Sequence, residues 1–237
     1  MSNSKPFVSV LTPTYNRRKF IPYIIKCFKN QDYPQDRMEW IVLDDGTDKV
    51  RDIFEASGLK NVRSYSEDEK QNIGAKRNKL NTYATGEIVV CMDDDDYYPP
   101  ERVSHVVSKL KTNPTIEICG SSEIYMFYSD NKQIYKIGPY AQFHATNGTF
   151  GYRRRYFDSH KYDENVTHAE ETSFLNKYKE PMVQLDPFKV MLVMSHSENT
   201  FDKKKLREQN NPMFKLTQMK LQNFIRDKSI RDFFNDA

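Results

Sequence analysis

The chain has 237 residues, of which 38% are hydrophobic and 13% aromatic, and its formal net charge is +3. Such a chain can bury one sizeable core, so we expect a single folded domain over residues 1–237 and exclude a disordered polymer. The 36 Lys and Arg residues are nearly balanced by 33 Asp and Glu residues, which implies no general polyanion partner and argues against nucleic acid.

The sequence also predicts a compartment. No stretch approaches the roughly 18 apolar residues of a membrane span, and the first residues lack the apolar run of a signal peptide. Cys27, Cys91 and Cys119 lie within or beside apolar runs and have no metal-binding spacing, which is typical of reduced core thiols. We therefore expect a soluble, cytoplasmic protein.

The first half of the chain alternates predicted strands with predicted helices. β-rich apolar runs predict strands at 7–11, 40–43, 61–65 and 88–92. Apolar residues at helical spacing, or polar stretches rich in helix formers, predict helices at 17–30, 49–57, 74–83 and 101–111. This alternation is typical of a mainly parallel sheet.

Polar clusters follow three of these strands, at residues 12–15, 44–46 and 93–96. In parallel sheets, ligands bind outside the carboxyl ends of the strands. Because these clusters are distant in sequence but would meet at one edge, we expect them to form one site.

The most unusual cluster is the run of four aspartates at 93–96, which follows a buried strand. Adjacent carboxylates repel strongly where the dielectric is low, and a cation would relieve that repulsion. Carboxylates suit Mg²⁺ and Mn²⁺, which bridge protein oxygens to substrate phosphates. An acidic turn that favours the positive end of the following helix is the alternative, but it needs only one or two of the aspartates.

The second half has a different pattern. It predicts strands at 116–121, 150–156 and 190–194, a hairpin of 123–128 with 133–137, a turn at 146–149 and a helix at 170–178. From residue 202 onward the chain is charged, and we expect a helix. Its apolar stripe would comprise Met213, Leu216, Met219, Leu221, Phe224 and Ile225.

Four segments across residues 8–103 occur together in one known family. They are SVLTPTYNR, LDDGTD, the Ala-x-Arg-Asn of GAKRN, and CMDDDDYYPP. In this order and spacing they resemble the nucleotide-binding half of the family 2 glycosyltransferases.

The resemblance implies an α/β GT-A fold, the Rossmann-like fold of nucleotide-diphospho-sugar transferases. Its mainly parallel central sheet would carry helices on both faces, with a small antiparallel sheet on the acceptor side. Residues 1–103 would bind the nucleotide sugar, 104–200 would form the acceptor and catalytic half, and 201–237 would be a C-terminal helical segment.

The resemblance also implies roles at the nucleotide. Pro13 and Tyr15 would lie at the base, with Tyr15 stacking on it, and Asp44 would accept the N–H of a uracil ring. Arg77 would hold the diphosphate or neighbouring carboxylates, which guanidinium matches in a bidentate way. The alternatives are a Tyr half-buried over the first helix, a helix cap at Asp44 (for which Asp45 is the better candidate) and a solvated basic face at Arg77.

For the metal, Mn²⁺ or Mg²⁺, the resemblance makes Asp95 the direct ligand. Asp93 or Asp94 would bind the ribose or a metal-bound water. His196, just past the last predicted strand, resembles the C-terminal His that completes the metal shell in many GT-A enzymes. A structural role is its alternative.

Inverting sugar transfer needs a carboxylate that takes the proton of the acceptor hydroxyl. Glu170 and Glu171 occupy the place of the family's Glu-Asp pair, so Glu171 is the predicted base and Glu170 would hold the acceptor or a backbone group. A Glu at a helix start is also commonly only a favourable interaction with the helix dipole. Asp163 and Glu164 are the next candidates.

The predicted function is thus metal-dependent transfer of a sugar, with inversion, from a UDP-sugar to a glycan or other hydroxyl acceptor. A nucleotidyltransferase of similar fold is one alternative, although residues 12–15 are not the Gly-rich phosphate loop common in such enzymes. A non-catalytic sugar- or nucleotide-binding module is another. The sequence leaves homo-oligomer formation, the sugar and the acceptor open.

Overall fold

The computed structural model of the protein describes residues 5–199, 203, 207 and 211–236. Its larger sheet runs in the order β3-β2-β1-β4-β8-β5-β9. These strands are β1 (Val8–Thr14), β2 (Met38–Asp44), β3 (Val62–Ser66), β4 (Ile88–Cys91), β5 (Ile118–Gly120), β8 (Gly151–Arg153) and β9 (Met182–Gln184). A smaller sheet, ordered β10-β6-β7-β11, comprises β6 (Ile124–Tyr128), β7 (Gln133–Ile137), β10 (Leu192–Ser195) and β11 (Phe214–Leu216).

Helices connect the strands of the first half, as the alternating pattern predicts. They are α1 (Ile21–Lys29), α2 (Arg51–Ala56), α3 (Ile73–Tyr83) and α4 (Arg102–Thr112). Later helices are shorter, except the last: α5 (Tyr156–Ser159), α6 (Glu171–Phe174) and α7 (Lys228–Asp236). No helix in the described part of the chain is both long enough and apolar enough to span a bilayer.

The four strands β3, β2, β1 and β4 are parallel to one another. Every residue of β1 and β2 is buried, because helices cover both faces of such a sheet and water reaches neither. Two hydrophobic clusters, one on each face, make up the core. The predicted parallel sheet and its position in the first half are confirmed.

β1 continues past its predicted end at residue 11 through Pro13 to Thr14. Its pairing with β4 ends at Leu11, and beyond that point only β2 flanks it. A proline, which lacks the backbone N–H, is tolerated in a strand where one side needs no ladder. The extension places Pro13 and Thr14 at the same level as Asp44.

The smaller sheet is mixed rather than antiparallel. β6 pairs antiparallel with β7, and β7 with β11, but β10 pairs parallel with β6. The predicted antiparallel sheet is therefore correct for the hairpin and wrong for β10. The parallel pairing depends on a long-range return of the chain, which no local pattern indicates.

Several predictions in the second half are wrong in extent. The strand at 150–156 ends at Arg153, and the predicted helix at 170–178 is only the short α6. β9, an edge strand of three residues, was not predicted. The C-terminal helical segment is also wrong in part, because Phe214–Leu216 is a strand and the helix begins only at Lys228. Most of residues 200–210 lie outside the described part.

Candidate functional site

A cavity of about 600 Å³ lies at the carboxyl ends of β1 and β4. It collects side chains from the predicted clusters and from the start of α6. Its lining comprises Pro13, Thr14, Tyr15, Arg17, Ile73, Lys76, Arg77, Asp93, Asp94, Asp95, Asp96, Thr167, His168, Ala169, Glu170, Glu171, Asn199 and Lys203. The expected convergence of sequence-distant groups on one edge is therefore observed for the first and third clusters.

The four aspartates form a turn that is tied to the smaller sheet. Tyr97 and Leu192 exchange backbone hydrogen bonds of 3.1 and 2.9 Å. Asp96 Oδ1 accepts the backbone N–H of Met194 at 2.7 Å. These bonds bring the end of β10, and hence His196, to the acidic turn. Asp96 thus has a structural role that the sequence did not indicate.

The carboxylates of this turn differ in the direction in which their pKa values are shifted. Burial, and then the charge of Asp95, raises the pKa of Asp94 well above its usual value, and one buried oxygen of Asp94 has no hydrogen-bond partner among the described residues. Burial and neighbouring aspartates raise the pKa of Asp96 to about 8. The expected repulsion is real, and it favours the neutral forms of these two groups.

Asp95 behaves in the opposite way. Burial opposes its charge, but the hydrogen bond from His196 and the charges of Lys203 and Arg17 hold the pKa of Asp95 well below its usual range. Arg17 Nε lies 3.8 Å from Asp95 Oδ2. The surroundings of Asp95 thus favour its ionised form, in contrast to those of Asp94 and Asp96.

His196 lies directly against Asp95. Its Nε2 is 3.1 Å from Asp95 Oδ2, and its Nδ1 accepts the backbone N–H of Glu198 at 3.2 Å. Nε2 also lies 2.9 Å from the Asn199 amide nitrogen, so this ring nitrogen faces both a carboxylate oxygen and an amide group. The ring packs 4.5 Å from Phe20, and the Asn199 amide donates to Asp95 Oδ2 at 3.2 Å. Asp95 and His196, the two predicted metal ligands, are adjacent in space.

In the part of the chain that the structure describes, no group of three or more His, Cys, Asp or Glu side chains is arranged to hold a metal ion. The two predicted ligands, Asp95 and His196, lie against each other, and metal binding by them stays a prediction. Both types of donor atom suit Mn²⁺, and the carboxylate suits Mg²⁺.

Arg77 joins the two acidic segments. Its Nη2 donates to Asp93 Oδ1 at 3.0 Å, and its Nε donates to Glu170 Oε1 at 2.8 Å. Burial opposes its charge, but these two carboxylates hold the pKa of Arg77 well above its usual value. The solvated basic face considered for Arg77 is wrong, because the side chain is only 8% exposed.

The turn at 147–149 closes this network from the other side. With its amide oriented to satisfy both neighbours, Asn147 accepts from Arg77 Nη1 at 2.7 Å and donates to the Tyr162 hydroxyl at 2.6 Å. A Cβ on Gly148 would lie 3.1 Å from Asp93 Oδ2 and 3.0 Å from Met191 Cε. A larger side chain would therefore press on the acidic turn. From the sequence, Asn147 was predicted only to lie in a turn.

Glu170 and Glu171 lie side by side at the cavity but differ in environment. Glu170 is held by Arg77. No cation lies within salt-bridge distance of Glu171 among the described residues. Burial, and then the charge of Glu170, raises the pKa of Glu171 to about 7. Such a carboxylate is matched to proton transfer near neutral pH.

The alternative base candidates face α3 instead. Glu164 Oε1 accepts from Asn78 Nδ2 at 3.0 Å, and a Cβ on Gly74 would lie 1.9 Å from the Asp163 carbonyl oxygen. Asp163 and Glu164 lie outside the set of cavity-lining residues. They hold the loop before α6 against α3.

Asp44, rather than Asp45, has the capping role that the sequence suggested for this turn. Asp44 accepts the backbone N–H groups of Gly46 at 2.8 Å and Val50 at 2.9 Å, so it caps the turn before α2, the role for which Asp45 was the better candidate. It is 1% exposed and lies outside the cavity lining. Asp45 instead pairs with the buried Lys76. Uracil binding by Asp44 stays a prediction.

Tyr15 lies on the cavity wall and is half-buried. Lys70 Nζ lies 4.3 Å and Lys76 Nζ 5.8 Å from the ring centroid. Cations over an aromatic face are attracted by its quadrupole. The Tyr15 ring therefore has two lysine ammonium groups beside it, of which that of Lys76 is paired with Asp45. Arg17, Asn199 and Lys203, which line the cavity beside Asp95, are among the lining residues to which the sequence gave no role.

Comparison with known proteins gives a consistent family. Residues 9–208 match the family model described as Glycosyl transferase family 2. The poly(ribitol-phosphate) beta-N-acetylglucosaminyltransferase TarS of Staphylococcus aureus is 36% identical over 96 residues, which are 39% of this chain and 17% of TarS. Glycosyltransferase AglE of Haloferax volcanii is 32% identical over 99 residues, 40% of this chain and 32% of AglE. The chain spans less than half the length of these relatives.

Solved structures share the fold. The structure of S. aureus TarS 1-349 in complex with UDP-GlcNAc has a TM-score of 0.66 and 20% identity, covering 81% of this chain and 60% of that one. Mannosyltransferase PcManGT from Pyrobaculum calidifontis, in complex with GDP-Man and Mn²⁺, has a TM-score of 0.66 and 19% identity, covering 83% and 59%. The predicted GT-A fold is confirmed, and the chain belongs to glycosyl transferase family 2.

Proposed function

We propose that this protein transfers a sugar from a nucleoside-diphosphate sugar, UDP-linked in our prediction, to a hydroxyl acceptor with inversion. One observation carries the proposal. Asp95, held by His196, Asn199 and Arg17, and Glu171, which has no cation within salt-bridge distance among the described residues, open onto the same cavity. The first suits a divalent cation, which would bind the donor's diphosphate, and the second, whose pKa burial raises to about 7, suits removal of a proton.

The nucleotide would bind along the wall formed by Pro13 and Tyr15. A flat ring with nearby lysines offers stacking to a base and positive charge to phosphates. The TarS and PcManGT structures are complexes with UDP-GlcNAc and GDP-Man, which supports a nucleotide sugar here. Asp93 and Asp94 would lie near the ribose or a metal-bound water, with Arg77 fixing Asp93.

A divalent cation fits the residues at the acidic turn. Asp94 has a buried oxygen without a partner, and Asp95 is held ionised. Asp95 and His196 would hold Mn²⁺ or Mg²⁺, and water and the donor's diphosphate would supply the remaining ligands, as is common for Mg²⁺. A ligand nitrogen carries no proton, so the neutral His196 would then hold its proton on Nδ1, in place of the hydrogen bond from the Glu198 N–H. The cation would neutralise charge that develops on the leaving diphosphate.

Proton removal is the role of this chain's own residues. Glu171 would accept the acceptor hydroxyl's proton while the diphosphate leaves from the opposite face of the sugar. Arg77 Nε holds Glu170 in place through a hydrogen bond of 2.8 Å, so Glu170 is engaged in that ion pair and Glu171 remains available. Glu170 would orient the acceptor.

The test is an assay of purified protein against a panel of UDP- and GDP-sugars, with and without Mn²⁺ or Mg²⁺. We expect metal-stimulated release of nucleoside diphosphate, faster when a sugar acceptor is present. Release of pyrophosphate from a nucleoside triphosphate would instead indicate a nucleotidyltransferase. Binding of nucleotide sugar without any turnover over an acceptor panel would contradict the enzyme proposal.

A further inference from the structure

The turn at residues 17–20, which precedes α1, contacts both the acidic turn and the segment after β10. A hydrogen bond of 2.8 Å from the Phe20 N–H to the Arg17 carbonyl oxygen closes this turn. Arg17 Nε lies 3.8 Å from Asp95 Oδ2, and the Arg17 guanidinium also donates to the carbonyl oxygen of Glu198. The 17–20 turn therefore connects the two chain segments that carry Asp95 and His196.

Phe20, the last residue of this turn, packs against His196. The centroids of the two rings lie 4.5 Å apart, and their planes are inclined by 35°. The imidazole is only 1% exposed, so its neighbours in the protein fix the orientation of the ring. Because Nε2 of this ring lies 3.1 Å from Asp95 Oδ2, a movement of Phe20 would change how the imidazole faces Asp95.

The C-terminal helix α7 contacts Phe20 as well. The Phe233 ring lies edge-on to that of Phe20, with centroids 5.4 Å apart and planes at 83°. Phe233 also stacks on Tyr23 of α1, at 3.6 Å and 12°. A hydrogen bond of 2.7 Å from Lys26 Nζ to Ser229 Oγ joins the same two helices. Phe233 thus lies behind the residue that packs on His196.

Other residues of α7 account for its packing on the core. Ile230 and Phe234, which are four positions apart and so share a helix face, are 1% and 2% exposed and belong to the larger hydrophobic cluster. Phe233 is only partly buried, and its contact with Phe20 is additional to that packing. Since α7 lies outside residues 9–208, which match the family model, family membership assigns it no role.

We propose that Phe233 is a positioning residue of the Asp95–His196 site: through Phe20, it fixes the imidazole of His196 against Asp95. The inference rests on the proposed function, and it adds α7 to the elements that build the metal site. Edge-to-face aromatic pairs stabilise beyond the area that they bury. Groups behind a metal ligand orient it and thereby influence the affinity for the metal.

Two adjacent phenylalanines of α7 distinguish positioning from simple coverage of the core. If α7 only covered the core, Phe234 would matter more than Phe233 for every property, because Phe234 is the more deeply buried of the two. If Phe233 positions His196, the two residues differ in kind. Loss of the Phe234 ring should then mainly lower stability, and loss of the Phe233 ring should mainly weaken the metal site.

Calorimetry of UDP binding to the full chain, with and without Mn²⁺, measures the effect on the metal site. We expect Phe233→Ala to weaken UDP binding in the presence of Mn²⁺ by about threefold to tenfold, while binding without Mn²⁺ stays within about twofold of the parent's. Phe234→Ala should stay within about twofold under both conditions, although its thermal midpoint should fall further than that of Phe233→Ala.

Imidazole NMR measures the position of His196 without metal or turnover. In protein labelled with ¹⁵N-histidine, the signal of His196, one of 5 histidines, is assigned by its loss in His196→Gln. We expect Phe233→Ala to shift this signal in the metal-free protein and Phe234→Ala to leave it near the parent's position. Circular dichroism would confirm that each variant is folded.

Where the parent shows a Mn²⁺ effect on UDP binding, the same effect in Phe233→Ala, or equal weakening by both variants, would overturn the positioning role. Failure of the proposed function is a separate result, because the parent itself would then show neither a Mn²⁺ effect nor turnover. In that case the NMR signal decides alone. A shift confined to Phe233→Ala would still show that Phe233 positions the imidazole, and an unshifted signal would refute it.

Discussion

The cavity has two acidic walls that share one arginine, and the two walls handle charge differently. On the acidic turn, Asp95 is surrounded by His196, Arg17 and Lys203, and its pKa is depressed. At α6, Arg77 forms its salt bridge with Glu170 and not with Glu171. Burial and the charge of Glu170 therefore raise the pKa of Glu171 to about 7. Similar residues in similar burial thus have a lowered pKa in one place and a raised pKa in the other.

The positions of the cations, rather than the carboxylates themselves, therefore determine which carboxylate has a lowered pKa and which has a raised one. A buried carboxylate with a hydrogen-bonded positive partner favours its charged form, and one without such a partner favours the neutral form. The sequence shows only the carboxylates in a row. Four experiments test this difference between the two walls.

The largest effect should come from Glu171→Gln, which keeps the size of the side chain but cannot accept a proton. We expect turnover to fall by about two to four orders of magnitude while nucleotide-sugar affinity stays near that of the parent. Steady-state kinetics with titration calorimetry of UDP would measure both. Glu170→Gln is the matched control and should lose less turnover. A larger loss for Glu170→Gln would exchange the two roles.

Next in size is Arg77→Met, which removes the cation that both walls share. Asp93 and Glu170 would then be left buried without their partner, and breaking such a pair costs about 3–5 kcal/mol of unfolding free energy. Urea denaturation would measure it. Lys79→Met, on the same helix but with a partly exposed pair to Glu67, should cost at most about 1 kcal/mol. Equal losses would show that Arg77 is not special.

Asp95→Ala tests the anionic wall. We expect UDP to bind the parent more tightly with Mn²⁺ than without it, and this difference to disappear in the variant. The variant should not gain stability from relieved repulsion alone, because His196 and Arg17 lose their partner. Calorimetry with Asp52→Ala, an exposed surface carboxylate, is the control. A metal effect that survives in Asp95→Ala would place the ion elsewhere.

The smallest effect is a pH dependence. A base must be ionised, and Glu171 has a pKa raised to about 7, so turnover should rise about tenfold per pH unit below about 7 and level off above it. In Glu170→Gln the neighbouring negative charge is gone, so the pKa of Glu171 should fall and the rise should move to lower pH. A profile of log kcat for both proteins measures it. An unmoved profile would mean that another group titrates.

The sequence predicted the first half of the fold well. β1, β2 and β4 are buried on both faces, so nearly every residue is apolar or β-branched and the pattern is strong. Polar residues follow the carboxyl ends of these strands, so the same local pattern also indicates the edge of the sheet at which the cavity lies. The second half was predicted poorly because β8 and β9 have three residues each and are stabilised by their neighbours.

By itself, the sequence determined the family, the parallel sheet and the set of acidic residues at the cavity, because these follow from local patterns and from motifs in order. Only the tertiary structure decided which carboxylate lies beside a positively charged or hydrogen-bonding partner. Asp95 meets His196 from 101 positions away in the chain, and Arg77 meets Glu170 from 93 positions away. A pKa depends on such contacts through space, and the spacing of residues along the chain does not contain them.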